Sequence, residues 1–130
     1  MIPEDQIDLF VEWLRHARWC GEGRCHTPAI PGTDLTDPYF SHLTYWRDPV
    51  WVNTNWMIWL GLLKYGYRET AEQIRQGILE LVANHGFRKY YDPFTGEGLG
   101  ENHSHGLPLF IDMIKNKRTR IPQSNNFLED

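Results

Sequence analysis

The chain has 130 residues, with 13 lysines and arginines against 17 aspartates and glutamates and a formal net charge of −4. This length suits one domain or part of a larger one, and the acidic balance argues against a nucleic-acid or anionic-membrane partner. No apolar run approaches the ~18 residues needed to span a bilayer, and the acidic N-terminal segment is unlike a signal peptide. We therefore expect a cytoplasmic protein.

A first helix is predicted from Pro3 to about Trp19. Proline suits the first helical turn, and the acids that follow favour the positive end of the helix dipole. The prolines and aspartates of residues 20–48 then predict a long ordered loop. The apolar residues at helical spacing in the first segment are Ile7, Phe10, Val11 and Leu14.

The two cysteines, Cys20 and Cys25, frame the sequence CGEGRC. A disulfide or half of a metal site is one interpretation, but the spacing is not CxxC and no second pair completes a zinc site. We therefore expect two free thiols. His103 and His105 belong to no metal-binding motif, so no metal or cofactor is expected.

A second helix is predicted over residues 49–65, with apolar residues almost all the way round. Such a helix is normally buried inside something larger. A third, amphipathic helix is predicted over residues 68–85, with Gly86 as its C-terminal stop. Residues 87–106 are predicted to be a loop, and residues 107–114 a short helix.

Two segments carry the chemical signal. Residues 45–56 read YWRDPVWVNTNW, and residues 89–100 read KYYDPFTGEGLG. Tryptophan and tyrosine present flat apolar faces with a polar edge, while arginine and asparagine supply directional hydrogen bonds. A sugar ring has apolar C–H faces and an equator of hydroxyls, so the two segments indicate carbohydrate chemistry.

These segments, their order and the helix pair between them resemble the C-terminal part of glycoside hydrolase family 63-like enzymes, of the mannosylglycerate hydrolase and α-glucosidase type. In that family a YWRGPVW…NW motif opens an inner helix, and an E-YYDP-TGEGLG loop precedes an FSWTAAL segment. The resemblance implies an all-α fold: part of an (α/α)₆ barrel, with helical hairpins and long ordered loops. Residues 1–117 would be a C-terminal fragment of this six-hairpin catalytic domain, and residues 118–130 a polar tail.

Three positions depart from the family pattern. Asp48 stands in place of the glycine between Arg47 and the following proline. Lys89 stands where related inverting barrels carry the glutamate that serves as catalytic base. Residues 103–110, HSHGLPLF, stand in place of the FSWTAAL segment.

By this resemblance the parent activity is hydrolysis of an α-glycosidic bond with inversion, in which a carboxylic acid protonates the leaving oxygen and a carboxylate activates water. The general acid would lie on an earlier helix, so the isolated chain is expected to be inactive. Glu97 is the candidate catalytic carboxylate, with Glu101 as an alternative. Glu97 can equally cap the turn made by its flanking glycines.

The candidate residues for the wall of the sugar pocket are Trp46, Arg47, Asn55, Trp56 and Tyr91. The tryptophans can equally be core residues, and Arg47 can pair with Asp48 or Asp92. The alternative function is a non-catalytic remnant that acts as a carbohydrate-binding or interaction module. The expected partners are a carbohydrate substrate and either the missing N-terminal portion of the barrel or a second copy of the chain.

Overall fold

A computed structural model describes residues 2–40, 49–102 and 106–115. These residues contain no helix that is long and apolar enough to cross a membrane. The helices predicted near residues 68–85 and 107–114 are confirmed. The elements in chain order are α1 (Ile7–Leu14), α2 (Val52–Lys64), α3 (Arg68–His85), β1 (Arg88–Tyr91), β2 (Gly98–Asn102) and α4 (Leu107–Lys115).

The first helix is shorter than predicted. A 3₁₀ turn, Glu4–Gln6, leads into α1, and a second 3₁₀ turn, Ala17–Trp19, follows it. The break lies at His16, whose ψ of 156° leaves the helical region. The His16 Nδ1 atom accepts a hydrogen bond from the N–H of Arg18. This capping of the second turn stops α1 at Leu14.

Cys20 and Cys25 form a disulfide, so the expectation of free thiols was wrong. The spacing rules that motivated it concern metal sites and take no account of the path of the backbone. Here Cys20, Glu22 and Gly23 all have positive φ angles, of 70°, 56° and 71°. This left-handed turn brings the two cysteine Cα atoms to 4.9 Å, within the usual range for a disulfide.

The core lies between α2 and α3, which pack against each other and are joined by residues 65–67. Helix α4 packs on α2. Its C-terminal end is held by the buried Arg75 of α3, whose Nε donates a hydrogen bond to the carbonyl of Met113 at 2.7 Å. The buried apolar residues of the two central helices include Val52, Trp59, Leu62, Leu63, Ala71, Ile74, Ile78 and Leu81.

The segment after α3 is a β-hairpin where a loop was predicted. Strand β1 pairs with β2 in antiparallel register, with Tyr91 opposite Gly98. The turn is closed by Asp92, whose Oδ1 accepts the N–H of Phe94 at 2.8 Å. Glycines such as Gly98 and Gly100 are poor strand formers, so the sequence of β2 does not predict a strand. Its pairing with β1 outweighs this low strand propensity.

Residues 20–40 contain no helix or strand, as predicted, but they are tied down at several points. We call residues 26–32 the clasp, because this segment crosses α2 and α3. Ala29 is fully buried, and a Cβ atom at Gly77 of α3 would come within 2.8 Å of its backbone nitrogen. The clasp continues into an isolated antiparallel bridge between Pro31 and Val50.

The part of the loop that follows is ordered around Asp34. Its carboxylate accepts hydrogen bonds from the backbone and hydroxyl of Thr36 and lies 2.9 Å from the Arg18 guanidinium. Burial alone would raise the pKa of Asp34, but the hydrogen bonds from Thr36 and the positive charge of Arg18 outweigh it. The pKa therefore lies below its ordinary value.

Two apolar surfaces of the described residues are left open. One is a cavity of about 410 Å³ between α1 and α2, next to the exposed side chain of Met57. The other is a stripe along α4 at helical spacing. These surfaces agree with the expectation that α2 needs more neighbours. The exposed side chains of the stripe are Leu107, Ile111 and Ile114.

We expect the purified chain to self-associate, because large exposed apolar surfaces drive association. Sedimentation velocity should show species larger than a monomer. Met57→Glu should shift the distribution toward the monomer, since Met57 is 59% exposed beside the cavity, whereas Met57→Leu should leave it unchanged. A monodisperse wild-type monomer with cooperative unfolding would contradict this expectation.

Candidate functional site

The two motif segments meet through their backbones. The N–H of Val50 donates to the carbonyl of Tyr91 at 2.8 Å, and the N–H of Tyr91 donates to the carbonyl of Val50 at 2.9 Å. The extended backbone at residues 49–51 explains why α2 starts at Val52 and not at residue 49. This pairing places the start of α2 directly beside the hairpin.

An aromatic pair lies next to this backbone pairing. Trp51 stacks on Tyr90 with ring centroids 5.1 Å apart and an interplanar angle of 29°. Trp51 is buried, whereas Tyr90 is partly exposed. Neither was a candidate site residue from the sequence. Successive residues of a strand point to opposite faces, so only one of Tyr90 and Tyr91 can face the site, and Tyr91 was the candidate.

Trp46 and Arg47 lie outside the described residues, as do Asp48, His103 and His105. The side chain of Glu101 is also outside them. The proposed contacts of Trp46 and Arg47 with a sugar therefore stay predictions.

Asn55 is fully buried on the first turn of α2. Its Nδ2 donates to the carbonyls of Ile30 and Trp51, both at 2.8 Å, and its Oδ1 accepts the N–H of Ile30 at 2.7 Å. These bonds use both N–H groups of the amide. Asn55 thus holds the clasp on α2, and a direct contact with a sugar would require these bonds to break.

Tyr91 is also fully buried. Its hydroxyl donates to the carbonyl of Gly86 at 2.7 Å and accepts the N–H of Arg88 at 2.9 Å. Burial raises the pKa of the Tyr91 hydroxyl, and the Arg88 hydrogen bond and charge only partly oppose this. Tyr91 therefore fastens the hairpin to the end of α3, and Tyr90 is the tyrosine that faces outward.

Trp56 is partly buried, and its indole Nε1 donates to Asp112 Oδ2 of α4 at 2.8 Å. This bond fixes the indole ring and joins α2 to α4 beside Asn55. Asp112 was not a candidate site residue from the sequence. In the sequence, only one feature could have identified it: Asp112 is the one charged residue between positions 107 and 114.

Glu97 is exposed in the hairpin turn, where its backbone N–H donates to the Thr95 hydroxyl at 3.2 Å. Lys89 lies on β1 directly before Tyr90 and is partly buried. Its Cβ packs against Gly100 of β2, where an added Cβ atom would lie only 2.9 Å from it. A lysine therefore stands in β1, directly before the tyrosine of the aromatic pair, where the resemblance calls for a carboxylate.

Within residues 2–40, 49–102 and 106–115, no group of three His, Cys, Asp or Glu residues is arranged to hold a metal ion. What the described residues offer is partly exposed aromatic surface at Tyr90, which stacks on Trp51, and at Trp56, which is hydrogen-bonded to Asp112. Such surface suits the C–H face of a pyranose ring.

Comparison with known proteins places these features in a family. The family described as mannosylglycerate hydrolase MGH1-like glycoside hydrolase domain matches residues 1–106. Mannosylglycerate hydrolase from Thermus thermophilus is 45% identical over 71 residues, which is 55% of this chain and 17% of the relative. Glucosylglycerate hydrolase from Mycolicibacterium hassiacum is 33% identical over 99 residues, 76% of this chain and 22% of the relative.

Solved structures give the same result. The GH63 mannosylglycerate hydrolase from Thermus thermophilus in complex with glucose matches with a TM-score of 0.71 and 34% identity, over 85% of this chain and 27% of that chain. The same enzyme in complex with Tris and D-glycerate matches with a TM-score of 0.72 and 31% identity, over 88% of this chain and 27% of that chain. The predicted fold class, part of an (α/α)₆ barrel, is confirmed. The chain spans about a quarter of these structures, and less of the curated relatives.

Proposed function

Because the chain belongs to the mannosylglycerate hydrolase MGH1-like glycoside hydrolase family, we propose that it forms the C-terminal, sugar-facing part of a barrel that hydrolyses the α-glycosidic bond of a glycosylglycerate with inversion. The observation that carries the proposal is the paired backbone of Val50 and Tyr91, which holds both motif segments at the start of α2. Residues 1–117 form this part of the barrel, and residues 118–130 are a tail.

The candidate site residues divide into two groups. Trp46, Arg47 and Trp56 contact the sugar or its glycerate group: the indoles stack on the C–H faces, and the guanidinium forms a bidentate pair with the carboxylate. Asn55 and Tyr91 act behind them, because their polar groups are already bonded to backbone in the core.

A second polypeptide segment completes the barrel. The general acid of the inverting reaction comes from an earlier inner helix, in the part of the fold that precedes this chain's match. The two open apolar surfaces, at the α1–α2 cavity and along α4, are suited to the neighbouring helices of that N-terminal portion.

Hydrolysis with inversion needs a carboxylate to activate water, about 6.5–9.5 Å from the general acid. Glu97 is the proposed carboxylate on this chain. Lys89 is unsuited to that role, because its ammonium group has three donors and no acceptor for a proton.

The identity of residue 89 also favours a second candidate function, in which the chain binds a glycosylglycerate without hydrolysing it. In this alternative the aromatic residues and Arg47 keep their roles, and only the water-activating step is lost. The two candidates agree on binding and differ on turnover.

Binding tests both candidates. We expect the chain to bind D-glycerate and glucose, with a change in tryptophan fluorescence on titration. Arg47→Ala should weaken D-glycerate binding about 10- to 100-fold, since a hydrogen bond to a charged group contributes about 1.5–3 kcal/mol. Met57→Ala, in the apolar cavity, is the matched control and should bind like wild type. Equal affinity of Arg47→Ala and wild type would remove Arg47 from the site.

A further inference from the structure

We propose that the Cys20–Cys25 disulfide is a thiol–disulfide switch that sets how firmly the clasp, residues 26–32, is held on α2, α3 and the hairpin. In the oxidised chain the clasp is fixed, and in the reduced chain it opens locally. The consequence for sugar binding rests on the proposed function, but the switch itself does not.

The two cysteines differ in solvent accessibility, and this difference decides which sulfur an external thiolate attacks. Cys20 is 2% exposed, whereas Cys25 is partly exposed. A thiolate of an external dithiol attacks the Cys25 sulfur and forms a mixed disulfide, and Cys20 leaves as a thiolate that takes up a proton. The second thiol of the reagent then releases Cys25 as a thiol. Two electrons and two protons pass to the protein, and the dithiol becomes a disulfide.

The disulfide-closed loop, residues 20–25, holds backbone conformations that the chain would not keep without the disulfide. Cys20 and Glu22 both have positive φ angles, which side chains with a Cβ adopt only when their surroundings enforce it. Gly21 is pressed against the end of α1, where a Cβ would lie 1.8 Å from the Arg15 carbonyl oxygen. Glu22 in turn accepts a hydrogen bond from the N–H of Ala17 at 3.3 Å. Breaking the disulfide lets these residues relax and removes the covalent constraint on the chain that follows.

The segment that follows the disulfide is the clasp. Cys25 directly precedes His26, whose N–H donates to the carbonyl of Pro93 in the hairpin turn at 2.8 Å. Four residues on, the backbone of Ile30 exchanges two hydrogen bonds with the Asn55 side chain. One end of the clasp is therefore anchored by the disulfide loop and the other by α2.

The clasp also reaches the candidate site. Pro31 pairs with Val50, and Val50 pairs with Tyr91, so the clasp, the start of α2 and the hairpin form one continuous set of backbone bridges. An opening that begins at His26 breaks its hydrogen bond to Pro93 in the hairpin turn and weakens the support that the clasp gives this set at Pro31.

Hydrogen exchange on the full chain tests the switch. After non-reducing purification, denatured protein should show no thiols reactive with Ellman's reagent, and dithiothreitol should release two. Reduction should speed exchange at the amides of His26 and Ile30 by about 10- to 40-fold, the upper figure being the chain-entropy value for a six-residue loop. The amide of Ile78, in the middle of α3, should change little.

Controls separate the switch from general destabilisation and from the proposed function. The Cys20→Ser/Cys25→Ser chain should exchange like the reduced protein, and dithiothreitol should have no effect on it. If that variant does not fold, the comparison of oxidised and reduced wild type decides alone. Free thiols before reduction, or unchanged exchange at His26 and Ile30 after it, would overturn the proposal. Exchange needs no ligand, so a chain that binds no sugar would contradict the proposed function and leave this result standing.

Discussion

Asn55→Leu is expected to lower the free energy of unfolding by about 2–6 kcal/mol, because it leaves both the N–H and the carbonyl of Ile30 buried without partners, at about 1–3 kcal/mol each. Leucine keeps the branched shape of asparagine, so the change removes the hydrogen bonds without leaving a cavity. Since a domain is stable by only about 5–15 kcal/mol, this single amide carries a large share of the stability of the chain.

Urea denaturation followed by circular dichroism measures this change as a shift in midpoint at constant slope. Asn53→Ala is the matched control, because Asn53 lies on the same turn of α2 and, among the described residues, its side-chain oxygen accepts only the N–H of its neighbour Thr54, at 2.9 Å. We expect that control to lie within about 0.5 kcal/mol of wild type. A similarly small effect of Asn55→Leu would contradict the anchoring role and return Asn55 to the pocket wall.

The parts of the fold that were predictable are those fixed by local sequence. Helix α3 has apolar residues at regular helical spacing and a glycine directly after it, and its observed bounds match the prediction. The start of α2 was three residues off, because the backbone at Val50 is set by pairing with Tyr91, 41 positions later in the numbering. The hairpin and the disulfide were missed for a similar reason: each depends on backbone geometry that composition and spacing do not encode.

The candidate site shows a different limit. Asparagine and tyrosine have the same chemistry whether they bind a hydroxyl of a sugar or a carbonyl of the backbone. The sequence therefore selected Asn55 and Tyr91 as residues with a specific polar task, and only the structure shows that their partners are Ile30, Trp51, Gly86 and Arg88. Asp112 was overlooked because its partner, Trp56, is 56 residues away.

If the chain binds a glycosylglycerate without hydrolysing it, Lys89→Glu is expected to raise hydrolysis of mannosylglycerate by about 10²–10⁴-fold in a completed barrel, the range contributed by a positioned general base. The experiment joins the N-terminal portion of the Thermus thermophilus mannosylglycerate hydrolase to this chain and measures release of mannose. With Lys89 in place, this candidate predicts release close to the uncatalysed background, because the ammonium group accepts no proton from water. The candidate in which Glu97 is the base predicts turnover instead.

Two further variants of the same fusion protein decide which carboxylate acts. Lys89→Gln removes the positive charge without supplying a base, so it should stay inactive if a carboxylate at position 89 is what the reaction needs. If the fusion with Lys89 already turns over and Glu97→Gln abolishes it, Glu97 is the base and the non-hydrolysing candidate is wrong. Thermal unfolding and D-glycerate binding should be similar in all the variants, since position 89 is partly exposed on β1. A loss of activity with both of these preserved then reports on proton transfer and not on folding.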